Sequence, residues 1–255
     1  MKRRQFVRYA GASLLATAGT GIASSFEAYQ AQTNSLSVQY LGHTCFLLTG
    51  SGQRILVNPF RSQGCTAGYR APKVNASLVL ISSQLLDEGA VDIVPGDPRL
   101  LYEAGAYNVG GLKIQGIGAD HDRVGGRRFG RNIVWKWNQG GLSVLHLGGI
   151  AGPITLEQKI LMGTPDVVMI PIGGGAKAYT PEEAQQALRV LNPKIVIPTH
   201  YRTQAAKGQC DIVGLDNFLT LMTGTPIRRG GDTIALQRRD LPKEGMVIQV
   251  LSYKP

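Results

Sequence analysis

Short apolar runs that end in glycine-rich or polar tips recur through the chain. They are clearest between Leu142 and Thr203, where Val144-Leu145, Val167 to Ile170 and Ile195 to Ile197 each read as a buried strand. Two histidines, His146 and His200, stand at the ends of such runs, where α/β proteins keep their chemistry. Upstream, Leu36 to Leu48 reads as strand, turn and strand, Arg54 to Pro59 as a further β run, and Leu78 to Ile81 and Leu112 to Ile117 as two more strands. Helices are marked by their caps. Thr155, with Gln158 three residues on, is a capping box opening a short helix to Met162. Thr180-Pro181-Glu182-Glu183 opens a helix through Leu191 that Asn192-Pro193 ends. Ile212 to Met222 is expected to be helical, and Thr233 to Leu236 and Met246 to Leu251 to be closing strands. No repeat of solenoid period is present.

Four ordered motifs lie on this pattern: His146-Leu147-Gly148-Gly149, Ile154-Thr155-Leu156-Glu157-Gln158, Pro165 to Gly174 and Pro198-Thr199-His200-Tyr201. Together they resemble the metallo-β-lactamase fold superfamily, in its branch of zinc-dependent, lactonase-like hydrolases. The resemblance covers Ser35 to Pro255 and implies an α/β fold of the αββα type, two mixed sheets packed face to face with helices outside. It also implies a pocket lined by His43, Asn58 (where the family carries Asp), Ser83, His146 and Gly149. His121, in a loop flanked by Asp120 and Asp122, is then a residual ligand or a general base, with Asp87 as its catalytic companion; the alternative is a hydrogen-bonded loop histidine.

The family's ligand motif, His-x-His-x-Asp-His, falls on Ser83, Leu85, Asp87 and Glu88, and its bridging Asp falls on Gly149. A catalytic zinc takes about three protein ligands, and a two-metal centre needs a bridge. The first position keeps only His121. The second keeps Asp87, Glu88 and His200, a set suited to a single Zn or Mn ion. The full dinuclear site is not encoded. Two readings follow: a catalytically impaired or inactive binding or accessory protein, or a single-metal hydrolase of an ester, lactone or phosphoester. Metal-free catalysis by Ser82 or Ser83 is weaker, since no motif supplies a base.

Composition changes the picture at the N-terminus. Lys2, Arg3, Arg4, Phe6 and Arg8 precede a mildly apolar stretch, Tyr9 to Ile22, interrupted by glycine. This resembles a twin-arginine export signal over residues 1–31, leaving a single domain over 32–255. The other reading is an ordinary secretory signal or a membrane anchor, against which the stretch is short and broken for a span of ~20 apolar residues. The expected location is the periplasm, or the thylakoid lumen in a photosynthetic source. Removing Lys2, Arg3, Arg4, Arg8 and Glu27 lowers the net charge from +10 to +7.

The densest basic cluster is Arg123, Arg127, Arg128 and Arg131, spaced by glycines. Arg128 and Arg131 are the candidates for holding an anion; the other reading is a solvated loop whose arginines pair locally. Expected partners are a small anionic molecule or an exported protein. Nucleic acid is not expected, since aromatic interleaving is slight. Of three cysteines, Cys45 sits in an apolar run as a buried thiol, and one disulfide remains possible.

Overall fold

The computed structural model describes residues 34–206 and 210–254; the expected export signal lies outside them. Among the described residues, fourteen strands form two sheets. Sheet one holds β1 (Leu36–Gly42), β2 (Cys45–Gly50), β3 (Gln53–Val57), β4 (Leu78–Leu80), β5 (Arg99–Leu101) and β13 (Thr233–Leu236), in the order β13-β1-β2-β3-β4-β5. Sheet two holds β6 (Gly105–Val109), β7 (Leu112–Asp120), β8 (Arg131–Gln139), β9 (Leu142–His146), β10 (Val167–Pro171), β11 (Ile195–Thr199), β12 (Ile227–Arg229) and β14 (Val247–Val250), in the order β12-β14-β11-β10-β9-β8-β7-β6. Each sheet mixes parallel and antiparallel pairs.

The strand period of two explains the layers. Along β10, Val167 and Met169 face a core shared with sheet one, while Val168 and Ile170 face a second core under the helices. A strand buried on both faces reads as an unbroken apolar run, as this one does. The inter-sheet core is filled by Phe46, Trp135 and Trp137, none more than 2% exposed. Trp137 Nε1–H donates to Gln139 and Trp135 Nε1–H to the Ile81 carbonyl, so both indoles are buried with their donors satisfied.

Three helices cover the outer face of sheet two: α1 (Leu156–Met162), α2 (Pro181–Leu191) and α3 (Leu215–Leu221). Thr155 and Thr180 cap α1 and α2, each in a reciprocal capping box. Asn192 ends α2 in the left-handed region. The third helix is shorter than the expected Ile212 to Met222. Val213 donates to the Gly173 carbonyl and accepts from the Arg202 N–H, which keeps it out of the helix, and Gly214 becomes the N-cap. The outer face of sheet one is covered by loops and 3₁₀ turns around Phe60, Tyr69 and Val94. Cys65 and Cys210 form a disulfide across that cover, and Cys45 is a buried free thiol. Among the described residues no helix is long and apolar enough to cross a membrane.

Candidate functional site

The site forms along one edge of the sandwich. His146 ends β9, Gly173 follows β10, His200 follows β11, His121 follows β7, Asp87 and Glu88 lie in the loop after β4, and His43 lies in the β1–β2 turn. Parallel pairing of β9, β10 and β11 puts three of these tips side by side. Two histidines adopt left-handed backbone, His43 at φ 55° and His200 at φ 49°, a conformation uncommon for such residues and concentrated at functional sites. The His200 N–H donates to the His43 carbonyl at 3.1 Å, and their rings lie against each other with centroids 4.3 Å apart and planes tilted by 50°.

Glu88 is fully buried. Its Oε2 accepts from Ser83 Oγ at 3.0 Å and lies 3.4 Å from His121 Nε2. Gly149 makes this possible: a Cβ there would overlap His121 Nε2 and come 2.7 Å from Glu88 Oε1. The Glu88 carboxylate and the His121 ring therefore fill the space that a side chain at position 149 would need. The Gly149 N–H is fixed by Asn132 Oδ1 at 2.9 Å.

Asp87 belongs to a second group. Its Oδ2 pairs with Lys177 Nζ and lies 3.7 Å from His43 Nε2. Burial works against ionisation of Asp87, but His43 and the Lys177 ammonium hold its carboxyl well below the usual carboxylate range. Burial, then the neighbouring His43 and the Lys177 ammonium, push the His200 imidazole well below its ordinary value. Lys177 had no signal in the sequence.

Asp87, Glu88 and His200, expected to share an ion, are thus divided between two groups. Among the described residues, the only set of three or more His, Cys, Asp or Glu ligand atoms within 4.8 Å of one another is Cys65, Cys210 and Asp211, and those cysteines are joined to each other. The residues present do not fit a dinuclear zinc centre. Ser83 and Leu85 stand in for histidines, no carboxylate can bridge from position 149, and the cation beside Asp87 is an ammonium. Unmade hydrogen-bond capacity nevertheless concentrates here. Among the described residues, the buried side-chain atoms without a partner are Nδ1 and Nε2 of both His43 and His121, His200 Nδ1, Glu88 Oε1 and Ser82 Oγ.

His146 and Asn58 act as scaffold. His146 Nδ1 accepts from the Gly148 N–H at 3.1 Å, so Nε2 carries the proton and donates to the Thr44 carbonyl at 2.9 Å; burial lowers its pKa to about 4. Asn58 Oδ1 accepts from the Ser82 N–H at 2.8 Å, pinning the strand end that leads to Ser83.

The arginine loop is organised by Asp122. Burial opposes its ionisation, but N–H groups of Phe129, Val124, Arg128 and Gly126 converge on its carboxylate and bring its pKa down to about 2. Arg131 pairs with Asp120 at 3.3 Å, Arg128 lies over the Phe129 ring at 4.9 Å and Arg127 bonds the Val124 carbonyl. Arg131 and Phe129 line a cleft of about 450 Å³ with Ser83, Leu85 and Tyr102.

Residues 37–200 match the model of the beta-lactamase superfamily domain. The chain belongs to that superfamily. A metal-dependent hydrolase of Heliobacterium modesticaldum is 26% identical over 238 residues, which are 79% of this chain and 98% of that protein. One from Symbiobacterium thermophilum is 30% identical over 194 residues, 66% of this chain and 85% of its own. A Thermotoga maritima structure, named as a Zn-dependent hydrolase of the metallo-β-lactamase superfamily, superposes with a TM-score of 0.68 at 30% identity, covering 85% of this chain and all of that one. The αββα sandwich expected from the motifs is therefore the superfamily's fold. In this chain Asp87 pairs with Lys177 and Glu88 with His121.

Proposed function

We propose that this chain is an exported member of the superfamily that has given up metal-dependent hydrolysis and serves as a binding protein for a small anionic molecule. The observation that carries the reading is the packing of the Glu88 carboxylate against His121 over Gly149, which leaves Asp87, Glu88 and His200 without a common centre. Arg131, on the rim of the cleft beside Ser83, is the cation placed to meet the ligand's charge. The twin-arginine pattern and the Cys65–Cys210 disulfide support export to the periplasm or a lumen, since disulfides persist in oxidising compartments.

Elemental analysis of the protein purified without chelator, beside an Asp87→Ala, His200→Ala double variant, tests this. Absence of transition metal from both supports it. About one ion per chain, lost in the variant, would replace it with the single-metal hydrolase.

One observation favours a second reading. The base that a nucleophilic serine needs is in place, because Ser83 Oγ is 3.0 Å from Glu88 Oε2 and Ser83 opens on the cleft. A fluorophosphonate adduct on Ser83, absent from Glu88→Gln, would support metal-free ester cleavage; an unlabelled protein would dispose of it.

A further inference from the structure

We propose that Lys177 is the built-in cation of this centre: its tethered ammonium neutralises Asp87 in place of a divalent ion and excludes one. The inference rests on the reading above that the protein works without metal, and it says what took the metal's place.

A carboxylate as enclosed as that of Asp87, with its side chain 19% exposed, requires a countercharge. Lys177 Nζ supplies it on Oδ2, the same oxygen that faces His43 Nε2. The ammonium is held there by its loop. The Gly174 N–H donates to the Tyr179 carbonyl at 2.8 Å, closing the loop at its base. Arg123 donates to the Gly175 and Ala178 carbonyls, both at 2.8 Å, on either side of Lys177. Arg123 is itself gripped by Glu183 at 2.8 and 2.6 Å. Gly173 lets the loop pass against His200, because a Cβ there would overlap the His200 carbonyl. Lys177 therefore reaches Asp87 from a fixed loop.

Two cations cannot share one carboxylate oxygen without repulsion, and the one attached to the chain has the advantage of effective concentration. If the ammonium is withdrawn, what remains is Asp87 beside His43, 3.7 Å from its Nε2, and the His43 ring packs in turn against His200, whose Nδ1 is buried without a partner. Their ligand atoms do not lie within 4.8 Å of one another while the ammonium is in place, so an ion could gather this carboxylate and the two imidazoles, donors that suit Zn or Co(II), only once Lys177 is withdrawn.

The test uses the whole protein as Lys177→Ala, Lys177→Met, Lys177→Arg and Lys177→Ala with Asp87→Ala, each dialysed against Zn or Co(II) and followed by elemental analysis and thermal melting. Lys177→Met keeps most of the side-chain stem in case the alanine variant folds poorly. The expected result is that the alanine or methionine variant melts lower without metal, gains about one ion per chain and recovers stability as the ion is added, with an affinity at least ~10-fold above that of the parent. Lys177→Arg and the double variant should gain none. Failure of both neutral variants to take metal, or equal uptake by Lys177→Arg, overturns the inference while leaving the metal-free reading standing. A parent protein that already carries an ion overturns both.

Discussion

Gly149 and Glu88 fit each other: a Cβ on the glycine would come within 2.7 Å of Glu88 Oε1, so the buried carboxylate is possible only because position 149 has no side chain. Glu88 also bonds Ser83 and approaches His121, and the three side chains pack as one unit. Overpacking such a unit costs about 1–3 kcal/mol. Gly149→Ala should therefore destabilise the protein by that order, and adding Glu88→Ala should return part of the loss. A double-mutant cycle by urea unfolding measures the coupling. Strictly additive losses would show that the two residues do not compete for space.

Acid should destabilise this protein earlier than carboxylate chemistry alone predicts. His146, its pKa lowered to about 4 by burial, and His200, also lowered, bind fewer protons folded than unfolded. Their stabilisation is complete above the unfolded histidine value of about 6.5 and is lost as pH falls through the folded values. Asp87, also depressed, contributes stability above about pH 3.9 that is lost below it. The His146 share is on the order of 3 kcal/mol between pH 6.5 and 4. Melting temperatures across that range should fall steeply for the parent and less steeply for His146→Gln; equal slopes would count against the assignment.

Reducing the Cys65–Cys210 bond should lower stability by about 5 kcal/mol, because it closes a loop of 145 residues. Denaturant midpoints with and without reductant give the number. Cys45, buried and unpaired, should resist alkylation until the protein unfolds.

Asp122→Ala removes the acceptor of four backbone N–H groups. The expected result is rapid hydrogen exchange confined to residues 123–131 and a lowered melting temperature. Unchanged exchange there would show that Arg123 alone holds the loop.

Most of the fold was legible because its signals are local. Thr155–Gln158 and Thr180–Glu183 announce their helices within four residues, and the run Val167 to Ile170 reads as buried because both of its faces are. The ordered motifs around His146 and His200 carried the family, and all four histidines reach the same edge or its immediate support. The partners inside the site were not legible. Lys177 and Asp87 are 90 residues apart, and nothing near either one marks the pair. Glu88 falls on a ligand position of the motif, yet the absence of a side chain at Gly149, 61 residues later, turns it towards His121. Pairings of this kind are set by three-dimensional space, and a linear pattern does not carry them.

The strand order of sheet one has a consequence for biosynthesis. β1 pairs with β2 on one side and with β13 on the other, Leu36 lying opposite Leu236. A strand near the start of the domain thus waits for one near its end, and until Leu236 has cleared the ribosome β1 has an open edge. Such distant pairing makes folding slow and leaves the nascent chain exposed to aggregation. Sheet one is completed only after Leu236 has been made, about 200 residues after β1, so a truncation before Thr233 would leave β1 unpaired along the whole of that edge.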